Sequence, residues 1–134
     1  MEEDKPVSSI FLQTACYLLD AHALKFADMA LAHELAESLH KEPIPLYETT
    51  VARLHMQKRE YKEAREYLER ATVRDIQDSD AWALLGHTHY LMGNYVEAKD
   101  IYERALCFVE RPAHVQLVQT RLADIFFHQH KVNK

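Results

Sequence analysis

Glycine and proline are scarce in this chain of 134 residues, which contains only 2 Gly and 4 Pro. An all-β sandwich needs many tight turns, and a collagen or a proline-rich linker needs these residues in bulk. Two glycines also cannot build a glycine-rich loop of the kind that cradles a phosphate. The composition therefore favours long helices joined by short loops, and it argues against folds built around a nucleotide loop.

Cysteine, positive charge and long apolar runs are equally limited. Cys16 and Cys107 lie far apart in no CxxC pattern, so we expect small core side chains in a reducing compartment rather than a disulfide. The net charge of −5 argues against nucleic acid as a partner, because backbone binding needs a basic surface. No apolar run approaches the roughly 18 residues that span a membrane, and the N-terminus is acidic rather than signal-like. We expect a cytoplasmic chain with no membrane partner.

Patterns for catalysis and metal binding are missing as well. The sequence has no G-x-S-x-G motif, no phosphate loop and no Cys–His pair in a known context. The 9 histidines show no HExxH-type spacing, and pairs such as His87/His89 lie two apart, which places them on different helix faces. We therefore expect no catalytic residue, no metal and no cofactor, and we expect the histidines to serve packing.

Helical periodicity is clearest between Asp80 and Leu106. Apolar and small residues recur there at helical spacing, then Gly93-Asn94 interrupts the pattern, and a second periodic segment follows. Glycine and asparagine adopt the left-handed conformation that ends a helix most cheaply. The segment is therefore predicted to be a pair of antiparallel helices.

The same pattern recurs along the chain at fixed steps. Small residues of the first helix lie at steps of 37, 34 and 37, and those of the second helix at 37 and 34. The first series is Ala15, Ala52, Gly86 and Ala123, the second is Ala27, Ala64 and Ala98, and large residues opening the second helix are Leu24, Tyr61, Tyr95 and Val132. These series predict one array over residues 8–134, with repeats at about 8–44, 45–78 and 79–114 and a partial repeat at 115–134. Residues 1–7 are expected to form an acidic flexible tail.

The third repeat resembles the tetratricopeptide repeat (TPR) family. Trp82-x2-Leu85-Gly86-x2-His89 and Ala98-x3-Tyr102-x2-Ala105 match its pattern, although the family has Tyr at His89 and Phe at Tyr102. The resemblance implies an all-α solenoid of three helical hairpins plus a C-terminal helix, in a right-handed superhelical array. It also implies packing roles for Ala15, Ala27, Ala52, Tyr61, Ala64, Trp82, Leu85, Gly86, Tyr95, Ala98, Tyr102, Ala105 and Ala123.

The order of residues around Trp82–His87 and Arg121–Ile125 is also similar to repeats in a family of cilia- and flagella-associated proteins. This resemblance implies a non-enzymatic scaffold of the axoneme that supports ciliary or flagellar motility. The alternative is a cytosolic TPR adaptor or regulatory domain, such as an atypical chaperone adaptor.

The TPR resemblance further implies a groove, lined by the first helix of each hairpin, that binds a protein or peptide. The candidate groove residues are Arg53, Gln57, His87, Tyr90, Arg121, Asp124 and His128. Two interpretations stay open: these residues form a binding band that mixes charge with an aromatic ring, or they are solvated residues that pair with one another. Some TPR proteins bind the acidic tail of a chaperone through several cations, and here only Arg53 suits that role.

The last predicted helix is unusually apolar for the end of an array. Val118, Leu122, Ile125 and Phe126 share one broad face, although a terminal repeat is normally polar on its outer side. This suggests a fragment or truncated form of a longer array whose last face needs a partner. Self-association through this helix is the simplest expectation.

Overall fold

The computed structural model describes residues 10–37, 45–108 and 110–132. Within these ranges all regular structure is helical. The helices are α1 (Ile10–Asp20), α2 (Leu24–Glu37), α3 (Pro45–Gln57), α4 (Tyr61–Arg74), α5 (Ser79–Leu91), α6 (Tyr95–Cys107) and α7 (Val115–Val132). The tail predicted at residues 1–7 lies outside the described residues.

The chain forms two compact units, Met1–Ala71 and Thr72–Lys134, whose boundary falls in the last turn of α4. Each unit has a core of its own. In the first unit the core comprises Leu12, Ala15, Leu19, Ala27, Ala30, Leu31, Val51 and Leu54. In the second it comprises Ala83, Ala98, Tyr102, Ala105, Val118, Leu122 and Ile125. The single array over residues 8–134 therefore stays a prediction.

The turn inside each hairpin has the same hydrogen-bond pattern. Gly93 N–H donates to the Tyr90 carbonyl (3.1 Å), and Asn94 N–H donates to the His89 carbonyl (2.9 Å). These two bonds define a Schellman motif, which satisfies carbonyl groups at the end of a helix. The α1–α2 and α3–α4 turns repeat both bonds. The three turns therefore follow one another at steps of 37 and 34 residues, as the repeat pattern has it, and the repeat bounds stay a prediction.

Each of these turns places one residue in the left-handed region. These residues are His22 (φ 57°), Arg59 (φ 64°) and Gly93 (φ 82°). Only the third hairpin uses glycine, which has no Cβ to clash with the backbone in this conformation. His22 and Arg59 therefore carry a steric cost that Gly93 avoids.

Close contact between α5 and α6 depends on Gly86. A Cβ atom built there would lie 2.6 Å from Cδ1 of Tyr102, whose side chain is fully buried.

Asp78 is the N-cap of α5, since its Oδ1 accepts a hydrogen bond from the N–H of Ala81 (3.1 Å). This N-cap satisfies a backbone donor that has no partner within the helix.

Two predictions about single residues are wrong. Val132 was expected to open another helix, but it is the last residue of α7. The helical backbone continues through Val132 instead of forming the turn that ends α1, α3 and α5. Cys107 was expected in the core but is exposed, because it lies at the end of α6.

We expect the substitution Arg59→Gly to stabilise the chain by about 0.5–1 kcal/mol. Removing Cβ at a positive φ relieves a cost of roughly 1–2 kcal/mol, and the greater freedom of glycine in the unfolded chain offsets part of this gain. Urea unfolding followed by circular dichroism measures the change. Glu66→Gly, at an exposed position inside α4, is the control and should destabilise by about 1 kcal/mol. Equal losses in both variants would contradict the expected strain.

Gly86→Ala is expected to destabilise the chain by about 1–2 kcal/mol. The new methyl group overlaps the Tyr102 ring, and this overpacking exceeds the gain in helix propensity of about 1 kcal/mol. The same urea measurement applies, with Gly86→Ala combined with Tyr102→Leu as the relief variant. If Gly86→Ala lowers the free energy of unfolding equally with and without Tyr102→Leu, contact with the ring is not the cause of the destabilisation.

Candidate functional site

The predicted groove residues are divided between the two units. Arg53 and Gln57 belong to the first unit, and the second unit holds the other five. These five are His87, Tyr90, Arg121, Asp124 and His128.

In the first unit, both predicted groove residues connect α3 to α1. The Arg53 guanidinium donates a hydrogen bond to the Asp20 carboxylate and forms an ion pair with it. Gln57 Nε2 donates to the backbone carbonyl of Leu19 (2.9 Å). Asp20 is therefore the ion-pair partner of the one cation whose position suits an acidic ligand in other TPR proteins.

The second unit contains a buried polar cluster centred on His87. Its Nδ1 lies 2.5 Å from the Tyr102 hydroxyl and 2.9 Å from Nη1 of Arg121. A guanidinium can only donate, so Nδ1 must carry a lone pair and the ring proton must sit on Nε2. His87 therefore acts as the acceptor that joins α5 to α7.

Burial sets the protonation state of this cluster. His87 is only 6% exposed, and its burial, followed by the charges of Arg121 and His114, lowers its pKa to about 3. Burial likewise raises the pKa of Tyr102 to about 12, although Arg121 opposes the shift. Both groups are neutral at physiological pH, as an imidazole acceptor and a phenol donor require.

Arg121 is engaged on a further side by Tyr90. Its guanidinium carbon lies 4.8 Å from the centroid of the Tyr90 ring, a cation–π geometry. The Tyr90 hydroxyl donates to the Asp124 carboxylate, and this hydrogen bond is the main cause that raises the pKa of Tyr90. Arg121 is therefore held by the side chains of its own unit and is not a free cation for a ligand.

Four rings of the second unit form an aromatic ledge, defined as Tyr90, Tyr95, Phe127 and His128. Tyr95 contacts Tyr90 edge to face with centroids 5.5 Å apart, and it stacks on His128 at 5.6 Å with the planes 7° apart. Phe127 continues the ledge, 6.2 Å from the His128 ring, and is 66% exposed. The carboxylate of Asp124 lies beside it, 3.6 Å from Nε2 of His128. The ledge offers aromatic surface next to one negative charge.

Comparisons with known proteins identify the family of the chain. The family model described as tetratricopeptide repeat matches residues 55–122, which is half of the chain. The chain belongs to the tetratricopeptide repeat family. It is 32% identical over 127 residues to Cilia- and flagella-associated protein 70 of Homo sapiens, covering 95% of this chain but only 11% of that protein. The chain therefore spans about a tenth of the length of this relative.

A solved TPR domain shares the fold. The Sgt2 TPR domain from Aspergillus fumigatus superimposes with a TM-score of 0.75, covering 92% of this chain and 79% of that one, at 20% sequence identity. At this identity the likeness establishes the all-α TPR fold and nothing about ligands. The predicted fold class is confirmed.

Most TPR packing positions lie inside the two cores, and one does not. Fully or almost fully buried are Ala15, Ala27, Ala52, Ala64, Leu85, Ala98, Tyr102 and Ala105. Gly86 is also buried, and Tyr61, Trp82 and Tyr95 are half-buried. Ala123 is exposed near the end of the described residues, and its packing role stays a prediction.

Tyr102 belongs to the polar cluster, which its predicted packing role did not include. The TPR family has phenylalanine at this position. The tyrosine was nevertheless a signal, because its additional hydroxyl needs a hydrogen-bond partner once the ring is buried. That partner is His87, itself expected to face a groove.

Two further observations concern other kinds of site. Among the described residues, no three or more His, Cys, Asp or Glu side chains come together in a way that could hold a metal ion. No helix in the described ranges is long and apolar enough to cross a membrane.

Acid is expected to destabilise the TPR fold partly through His87. The folded-state pKa of about 3 lies below the ordinary value of 6.5, so the unfolded chain takes up a proton first as pH falls. This stability is fully present above pH 6.5 and is lost towards pH 3. Urea unfolding should show that wild type loses about 2 kcal/mol more between pH 7 and pH 5 than His87→Gln, whose amide oxygen still accepts. If wild type and His87→Gln lose the same free energy of unfolding, His87 is not buried in its neutral form.

Proposed function

We propose that this chain is a non-enzymatic protein–protein interaction module of a ciliary or flagellar axoneme. TPR domains are generally non-catalytic and bind proteins or peptides, and membership of this family supports the first half of the proposal. The similarity to a protein named as cilia- and flagella-associated supports the second. On this proposal the chain acts in the cytoplasm within the cilium or flagellum, as a scaffold for motility.

The observation that carries the proposal is the aromatic ledge. Exposed aromatic rings held by neighbouring side chains are typical of residues that dominate protein interfaces. Tyr95 and His128 stack on each other, and Asp124 holds Tyr90 and His128, so the rings lose little freedom when a partner binds. The ledge is therefore the part of the second unit best suited to bind a partner.

Charge favours a neutral or basic segment as the ligand of the ledge. Arg121 is engaged by His87 and Tyr90, while Asp124 keeps a partly exposed carboxylate at the edge. An acidic tail would meet this carboxylate without a free cation to repay its desolvation. In the first unit, the cations Arg53 and Lys58 are likewise paired, with Asp20 and Asp28. The charges argue against a chaperone adaptor that grips acidic tails.

Self-association through α7 stays a prediction of the sequence. Neither the ledge nor the polar cluster depends on it, because both are complete within one chain.

We expect the double substitution Phe127→Ser with His128→Ser to abolish the association of the chain with axonemal proteins. Both side chains are exposed, so the helix should remain folded, as circular dichroism would verify. Proximity labelling in ciliated cells should enrich axonemal proteins around wild type at least fivefold more than around the variant. The control is Lys62→Ser with Glu66→Ser, at exposed positions of α4, which should label like wild type. The proposal fails if wild type labels no axonemal protein, or if the ledge variant labels as wild type does.

A peptide titration tests the alternative that the chain is a chaperone adaptor that binds acidic tails. Fluorescence anisotropy with a peptide that ends in two glutamates and a free carboxylate should show no saturable binding to wild type. Tight binding that is lost in Arg53→Ala would instead favour an acidic-tail adaptor.

A further inference from the structure

Arg121 and Asp124 carry opposite charges on one side of α7, yet they do not pair with each other. They lie three positions apart, a spacing at which an arginine and an aspartate on a helix can form an ion pair. In the described part of the chain, Asp124 pairs with His128 instead, while Nη1 of Arg121 lies 2.9 Å from Nδ1 of His87 on α5. A contact between two helices therefore replaces the pair that α7 could form by itself.

Burial makes His87 the stronger competitor for this guanidinium. Its ring is neutral and only 6% exposed, so a water molecule cannot readily replace Arg121 at Nδ1. The side chain of Asp124 is 40% exposed, and water can reach its oxygens. Losing a hydrogen bond to a buried acceptor costs more than losing an exposed ion pair. Arg121 therefore stays with His87 and leaves Asp124 without an arginine.

The position of Arg121 decides the charge beside the aromatic ledge. With Arg121 held by His87, the carboxylate of Asp124 accepts from the Tyr90 hydroxyl and keeps its negative charge. Helix α7 has no other carboxylate to which the guanidinium could turn. A guanidinium that turned to Asp124 would neutralise it and compete with the hydroxyl for its oxygens. The ledge would then be aromatic without a charge.

We propose that the buried His87 is a positioning residue of the ledge: by holding Arg121, it keeps Asp124 available to a lysine or arginine of the partner. This rests on the proposed function, because it names the side chain that the ledge binds and the residue that sets this preference. The partner's cation would meet the carboxylate of Asp124 and the ring of Phe127, which is 66% exposed and lies three positions further along α7. His87 itself contacts no partner.

The variants for the test are built on Tyr102→Phe, which gives the residue that the TPR family has at this position. This change leaves the lone pair of His87 to Arg121. In this background His87→Leu removes the acceptor without leaving a buried hydroxyl unpaired, and His87→Gln supplies an amide oxygen as a substitute acceptor. A further variant adds Arg121→Gln to His87→Leu. Circular dichroism and urea unfolding verify that each variant is folded.

The ionisation of Tyr90 reports where Arg121 lies. The hydrogen bond of its hydroxyl to Asp124 is the main cause that raises the pKa of Tyr90. In the His87→Leu variant Arg121 should turn to Asp124 and break this bond, so Tyr90 should ionise at a lower pH than in Tyr102→Phe alone. The His87→Gln variant should match the background. NMR of chains with ¹³C-labelled tyrosine, with Tyr90→Phe to assign the signal, measures this.

Removing Arg121 as well is the decisive control. Adding Arg121→Gln to His87→Leu should return the ionisation of Tyr90 to a higher pH, because Asp124 is again free to accept from its hydroxyl. A general loosening of the fold by His87→Leu would not be reversed by a further substitution.

Proximity labelling in ciliated cells connects this position to the partner. In the Tyr102→Phe background, His87→Leu should lower the labelling of axonemal proteins at least fivefold, and His87→Gln should not lower it. Asp124→Asn in wild type should cause a loss of the same size, since it removes the charge directly. Adding Arg121→Gln to His87→Leu should restore the labelling.

Two results would overturn the inference. One is that Tyr90 ionises at the same pH in the His87→Leu and His87→Gln variants, or that Arg121→Gln does not reverse the change. The other is that Asp124→Asn labels axonemal proteins as wild type does. Failure of the proposed function looks different: wild type labels no axonemal protein, while the ionisation of Tyr90 still follows His87. That result supports the positioning of Arg121 and rejects the axonemal partner.

Discussion

The contact between Gly86 and Tyr102 is the constraint on which the second unit depends. Because Gly86 has no Cβ, the Tyr102 ring lies directly on α5 and is fully buried. Its hydroxyl then reaches His87, whose lone pair also accepts from Arg121 of α7. Arg121 in turn lies over Tyr90, whose hydroxyl binds Asp124. A single missing methyl group thus positions a series of polar contacts that joins three helices.

This series joins several candidate groove residues to one another, which is one of the two interpretations that the sequence left open. Some TPR proteins bind an acidic ligand through several cations at such positions. In the structure, however, Arg121 is held by its own unit, and His87 is buried and neutral. What is left for a partner is aromatic surface beside a carboxylate. The contacts of Arg53 and Arg121 thus join helices within each unit.

Much of the fold was predictable from residue spacing because it depends on local interactions. The steps of 37 and 34 placed all three hairpins, and the turn residues His22, Arg59 and Gly93 follow the same steps. Schellman turns and helix caps form between residues a few positions apart, so their signals lie close together in the sequence.

The sequence by itself determined the helical hairpins, their register and membership of the TPR family, since periodic packing and turn chemistry are properties of neighbouring residues. Only the tertiary structure decided which groove residues remain available to a partner. Asp20 meets Arg53 from 33 positions away, and Arg121 meets His87 from 34. Such pairs depend on how helices are placed side by side, and no local pattern reports whether a charged side chain will find a partner there.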